Sequence, residues 1–338
     1  MWGLDNRTPF AALGRIVIDE NGSKHWLVTV KGAFKVGLGG TVEVADDQPE
    51  PLLLPEYRGD DGESSLVYEA DAIPLRPRVD VLVNGRAFAP EGKPTTQVNV
   101  TLNTPFFRKT IEVTGDRVFK SSVLGVTPSR PMPFVEIPLV YERAYGGFDQ
   151  TDPDPAKQRM DPRNPVGCGL ATKAAHLVGK PVPNLAYPGG RFEATGPAGF
   201  GPICSYWEPR RSYAGTYNAR WVEQRKPLLP ADFDHRFYNT APLEQQIEGR
   251  YRGGGRIDTI NMSPQGPFGF EVPKIALGFS THFSSLFSPE VEHHHGELKA
   301  IVLEPHEGRF FLLWQTSLAC HVRIDDVDFT VIRQKRWV

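Results

Sequence analysis

Trp26-Leu27-Val28-Thr29-Val30-Lys31-Gly32-Ala33-Phe34-Lys35-Val36 decides the fold class of this chain. Trp26, Val28, Val30, Gly32, Phe34 and Val36 occupy the even positions, while Thr29, Lys31 and Lys35 fall on the odd ones. An extended backbone sends successive side chains to opposite faces, so this alternation reads as a half-buried strand with one apolar and one polar surface. Val98, Val100 and Leu102 alternate with Gln97, Asn99 and Thr101 in the same way. Asn21-Gly22 and Asn84-Gly85 are two-residue hairpin signals, because both residue types tolerate positive φ. Thr114-Gly115-Asp116 marks a further turn. The first third therefore reads as an antiparallel sheet.

Outward from that sheet, residues 128–202 turn rich in proline and glycine, with Pro153, Pro155, Pro162, Pro165, Pro181, Pro183 and Pro188 among them. Proline removes a ladder donor and restricts the residue before it, so this part is expected to be ordered loop with isolated strands. Residues 171–178 read as a short helix, and Pro242 followed by Leu243-Glu244-Gln245 as a helix start with proline at its first position. The last third returns to strands at 256–260, 274–279, 298–303, 309–315 and 328–332. Phe310-Phe311-Leu312-Leu313-Trp314 has no polar face and should be covered on both sides. The expected fold is mainly β with few short helices: antiparallel sheets, sandwich-like, joined by long ordered Pro/Gly-rich loops. Residues 1–338 are read as a single domain, subdivided into an N-terminal β part at 1–121 and a loop-rich and C-terminal β part at 122–338.

Composition narrows the function classes. Gly 33 and Pro 31 in 338 residues make about a fifth of the chain against an average near ~12%, which favours short strands over long helices. At 40% hydrophobic and 11% aromatic the chain is too apolar to be disordered. Lys plus Arg 38 against Asp plus Glu 40 leaves a net charge of −2, so no global field draws it to nucleic acid or an anionic membrane. The 3 cysteines, Cys168, Cys204 and Cys320, are odd in number and far apart, which suits a reducing compartment. No export signal follows Met1 and no apolar run approaches the ~20 residues of a membrane span. The expectation is a cytoplasmic protein.

Residues 207–246 have neither helical nor strand periodicity. They carry Trp207, Tyr213, Tyr217, Trp221, Phe233 and Phe237, interleaved with Arg210, Arg211, Arg220 and Arg225. Rigid amphipathic rings bury large area at small entropic cost, so the stretch reads either as a protein-binding surface or as the packed interior of an irregular region. These ten residues are the candidate partner contacts, and the arginines, being harder to bury, are the better surface candidates.

Other chemistry reads blandly. His293-His294-His295 is the most metal-like feature, yet neighbouring residues point in different directions, so an exposed polar loop is expected and no metal site is assigned. Arg250-Tyr251-Arg252-Gly253-Gly254-Gly255 lacks the strand, helix and Lys-Ser/Thr of a phosphate loop and reads as a turn into a strand at Arg256. Asp232 and Asp234 resemble a carboxylate pair without a sugar cleft, and are read as turn caps or partners of Arg236. Cys168 reads as incidental. No nucleophile elbow, His-Glu-x-x-His helix or paired Cys-x-x-Cys occurs. No catalytic residue and no cofactor is assigned.

Asn6-Arg7-Thr8-Pro9-Phe10, Asp80-Val81-Leu82-Val83-Asn84-Gly85, Tyr141-Glu142-Arg143-Ala144-Tyr145-Gly146-Gly147, Arg163-Asn164-Pro165-Val166-Gly167, Pro197-Ala198-Gly199-Phe200-Gly201-Pro202 and the aromatic segment follow one another in an order similar to one bacterial family. The chain resembles domain-of-unknown-function family 2169 (DUF2169). That resemblance implies an adaptor chaperone of the type VI secretion system, which loads a toxic effector onto the spike tip through a PAAR-type protein and the VgrG-type spike. It implies protein partners, no nucleic acid, no membrane and no enzyme activity. The alternatives are a hydrolase on a β scaffold with a metal or carboxylate site, and a structural component of the spike.

Overall fold

The computed structural model describes residues 2–74, 76–123, 125–284 and 290–335. Three main sheets carry the fold. In chain order their strands are β1 (Gly3–Asn6), β2 (Ala11–Ile18), β3 (Lys24–Val36), β4 (Val42–Val44), β5 (Val79–Val83), β6 (Gln97–Asn103), β7 (Arg108–Thr114) and β8 (Leu185–Ala186). They continue with β9 (Gln246–Ile247), β10 (Arg256–Ile260), β11 (Phe268–Glu271), β12 (Ala276–Phe283), β13 (Glu290–His295), β14 (Glu297–Glu304), β15 (Arg309–Ala319) and β16 (Val327–Lys335). A seven-stranded sheet runs β9-β5-β14-β15-β3-β2, with β4 also on β3. A five-stranded sheet runs β8-β7-β6-β10-β11 and a four-stranded one β1-β16-β12-β13. Strands from both sides of residue 121 share all three sheets.

The antiparallel expectation holds for most pairs, and β5–β14 and β1–β16 are parallel additions. The sheets face one another through a common core. Phe270 of β11 stacks on Phe310 of β15 at 3.9 Å, and Phe310 on Phe34 of β3 at 5.1 Å. Each such ring contributes about 2–3 kcal/mol by leaving water. Gly32 lets Phe10 lie flat on β3, since a Cβ there would sit 2.9 Å from the Phe10 ring. On the other side, Trp26 Nε1 donates to Thr330 Oγ1 of the four-stranded sheet at 2.9 Å.

The sheet at β3 differs from the half-buried strand its alternation implies. Trp26 through Phe34 are all buried, Thr29 and Lys31 included. Residues 45–74 lie across the second face and satisfy its polar groups. Lys31 Nζ meets Asp71 Oδ2 at 2.7 Å, and the same oxygen accepts from Leu52 N at 2.9 Å. Gln315 Nε2 donates to the carbonyls of Asp71 and Ile73, both at 2.9 Å. Gln48 pairs with both backbone groups of Ala33. Period-two patterning separates the faces of a strand and leaves open what covers them.

Turn signals fare unevenly. Asn21-Gly22 lies in a five-residue turn between β2 and β3, closed by Asp19 N to Ser23 O at 3.0 Å. Asn84-Gly85 makes no hairpin: Arg86–Phe88 pairs with Glu136–Pro138 instead of β5. Gly115 N continues the ladder to Thr96 O rather than turning. The helix expected at 171–178 is a 3-10 turn at Ala174–Leu177, and the one after Pro242 a 3-10 turn at Leu243–Gln245. Phe310 to Trp314 are buried on both faces, as their composition demands. Residues 128–202 hold short strand pairs such as Tyr145–Gly146 with Cys168–Gly169. No helix among the described residues is long and apolar enough to cross a membrane.

Candidate partner-binding face

Residues 207–238 fold on their own side chains. Two short helices, α1 (Arg210–Tyr213) and α2 (Ala219–Gln224), and a 3-10 turn at His235–Tyr238 are their only regular elements. Asn218 caps α2 by accepting from Trp221 N at 3.0 Å, and Asp234 caps the 3-10 turn by accepting from Arg236 N at 2.9 Å. Such caps supply partners for amide groups that a short helix leaves unpaired. Asp232 accepts from Thr216 N and Oγ1, holding Gly215 (φ +79°) where a Cβ would lie 2.8 Å from Pro230. Both carboxylates therefore serve the turn, and Asp234 also pairs with Arg236 Nη2 at 2.5 Å.

The ten candidate residues separate by burial. Trp207 is 0% exposed, edge-on to Tyr141. Arg210 is 4% exposed, with Nη1 2.6 Å from both Glu69 Oε2 and Ile203 O, and Nε 2.9 Å from Phe237 O. Both belong to the interior, so burial of an arginine here is offset by a charge partner and two carbonyls. Tyr213, Trp221, Arg225, Phe233 and Phe237 are half-buried. Arg236 lies 4.5 Å over the Tyr213 ring, Phe233 packs on Phe237, and Trp221 Nε1 donates to Leu228 O at 2.8 Å. Arg225 reaches Glu20 O at 2.6 Å, tying the segment to the β2–β3 turn.

Arg211, Tyr217 and Arg220 are exposed. Tyr217 is 54% exposed, edge-on to Trp221 at 4.8 Å, and Val222 on α2 is also 54% exposed. Tyr217, Arg220 and Val222 thus present a ring, a guanidinium and an aliphatic group to solvent from a framework held by caps. Val222 escaped the sequence reading, because only the formation of α2 turns it outward.

The remaining chemistry-bearing groups are internally engaged. His293 to His295 lie on strand β13, not on a loop, so alternate rings face opposite sides. His294 stacks on Phe279 and bonds Thr281 Oγ1 at 2.8 Å and Thr316 Oγ1 at 2.7 Å. Burial pushes it down to about 4. Buried Lys109 donates to Gly199 O, to Gln245 Oε1 at 2.6 Å and to Glu244 Oε1 at 2.8 Å, and burial pulls it down to about 8. With three acceptors its ammonium is fully bonded. Burial pushes the Cys168 thiol up to about 11. Asp149 binds His176 Nδ1 at 2.9 Å and both Thr151 and Thr172, and these bonds hold its carboxyl well below the usual range. Their spacing of 27 residues carries no local signal. Among the described residues no group of three His, Cys, Asp or Glu side chains could hold a metal ion.

Fold and face together define a mainly β protein whose irregular segments are built from side-chain-to-backbone bonds. The chain belongs to the family described as "Uncharacterized protein conserved in bacteria (DUF2169)", whose model matches residues 21–315. Comparison with curated proteins and with solved structures finds no match.

Proposed function

We propose that this chain is a cytoplasmic, non-enzymatic adaptor of type VI secretion that holds one effector, together with its PAAR-type spike-tip protein, until loading. The observation that carries the proposal is the six-block resemblance, five blocks of which fall within the family match at 21–315. The exposed Tyr217, Arg220 and Val222 favour it further, since tyrosine and arginine dominate the energetics of protein interfaces. An interface of about 1,600 Å² in total suffices for a specific yet exchangeable complex. The physical task is to cover apolar or strand-edge surface of the cargo until the spike tip offers competing contacts.

Co-expression with its cognate effector and PAAR-type protein should give a co-purifying complex. Deletion should abolish secretion of that effector alone. Equal secretion of all effectors without this chain rejects the proposal. Tyr217→Ala combined with Arg220→Ala should weaken the complex by about tenfold or more.

A further inference from the structure

Away from residues 207–238, a cleft of about 580 Å³ opens where the four-stranded and seven-stranded sheets diverge at Gly296. Its size lies in the range of roughly 300–1,000 Å³ that ligand clefts occupy. Its accessible apolar wall is Ile275, Ala276 and the Tyr251 ring, all half-buried, while the lining Leu277, Leu298 and Trp314 are closed into the core at 1%, 5% and 2% exposure. Around it stand four fixed cations, Arg250, Arg252, Lys299 and Lys335, against one lining carboxylate, Glu297. That carboxylate is already shared, at 2.9 Å from Arg250 Nε and 2.8 Å from Lys299 Nζ. The nearby Glu248 is turned to Arg78 at 2.8 Å, and Glu271 is close enough to bear on the Tyr251 hydroxyl. In a chain of net charge −2 this is a local concentration of positive potential, and low-dielectric walls focus it.

We propose that this cleft receives an acidic, extended peptide segment of a protein partner, whose carboxylates meet Arg250, Arg252 and Lys335 while an apolar side chain packs against Ile275 and Ala276. The inference rests on the adaptor reading and names the chemistry of the partner. Carboxylates suit guanidinium forks bidentately, and the half-buried Ile275 and Ala276 reward an aliphatic side chain that a phosphate lacks. A nucleotide base fits poorly because the rings at the cleft are engaged. Trp314 stacks on Phe10, His294 stacks on Phe279, and Tyr251 is met edge-on by Phe106.

The test is fluorescence anisotropy on the full chain with a fluorescein-labelled peptide alternating Asp or Glu with Leu, and its counterpart carrying Lys at each acidic position. The acidic probe should bind, the lysine probe should not, and affinity should fall at least about tenfold in Arg250→Glu/Arg252→Glu and on raising salt well above about 0.15 M. Lys335→Glu, at an exposed site, should weaken binding too and serves if the double variant folds poorly. Equal binding of both probes, unchanged affinity in well-folded variants, or displacement by equimolar inorganic pyrophosphate overturns the proposal. If cargo co-purifies but the acidic probe fails to bind, the cleft assignment falls and the adaptor reading stands. If the probe binds with the stated charge dependence but no cargo co-purifies, the adaptor reading falls and the acidic-peptide site stands.

Discussion

Residues 45–74 and residues 207–238 are both long stretches with little regular structure whose backbone groups need partners, and they find them largely in opposite ways. The first is bonded by side chains that project from a rigid sheet: Lys31 of β3 binds Asp71, and Gln315 of β15 binds the Asp71 and Ile73 carbonyls. The second is bonded mostly by its own Asn218, Asp232 and Asp234. Its ties to the body include Arg210 to Glu69 and Arg225 to the Glu20 carbonyl. A covering bonded to the sheet cannot loosen without exposing buried charge. The second stretch is anchored in the same way only at its start, by Trp207 and the buried Arg210–Glu69 pair, and the self-bonded part at residues 213–236 can open locally while the sheets stay closed.

The largest effect should come from the scaffold that both stretches rest on. Phe310→Ala removes a ring that is 0% exposed and stacked between Phe34 and Phe270, and should cost about 4 kcal/mol in urea denaturation. Asp71→Ala comes next. It leaves the Lys31 ammonium, at 8% residue exposure, without its carboxylate, and should cost about 3 kcal/mol. If that variant lost stability only in residues 45–74, the covering would be as independent as the self-bonded part of 207–238 and the contrast would fail.

These sites also show what the sequence could disclose. Strand positions were legible because Trp26, Val28, Val30 and Phe34 obey a local period, and the double burial of β15 because Phe310 to Trp314 offer no polar face. The cover over β3 was illegible, since the partners Lys31 and Asp71 are 40 residues apart and nothing local links them. Hairpin signals failed at Asn84-Gly85, where pairing with Glu136–Pro138 overrides turn propensity. For the candidate face, composition pointed to the right segment but could not sort it. Arg210 and Arg220 look alike in sequence, and only the position of Glu69 and two carbonyls makes one of them interior.

A pH experiment sharpens the picture of the sheets as one unit. His294 bridges Thr281 of the four-stranded sheet and Thr316 of the seven-stranded sheet, and its ring is held down to about 4 against an ordinary 6.5. The unfolded chain takes up a proton below about 6.5 while the folded one does not until about 4, so the contribution is complete above 6.5 and is lost as pH falls through that window. Partial solvent exposure limits it to about 2 kcal/mol. The difference in stability between the wild-type chain and His294→Gln, followed from pH 8 to pH 4, should shrink on acidification. A constant difference would remove His294 as the source.

The smallest effect tests the other side of the comparison. Asn218→Ala removes the acceptor for Trp221 N at the start of α2, a cap worth about 1 kcal/mol. Because α2 spans only Ala219–Gln224 and is capped from within the segment by Asn218, the loss should appear as faster amide exchange within residues 216–230. The global unfolding free energy from urea denaturation should stay within about 0.3 kcal/mol of wild type, since a segment that opens locally contributes little to the global transition. Loosening of α2 should also blur the placement of Tyr217 and Val222, so cargo affinity is expected to fall more than global stability does. A fall in the global unfolding free energy by the full cap energy would mean that residues 207–238 unfold only with the sheets, and the face would then be as rigidly held as the covering of β3.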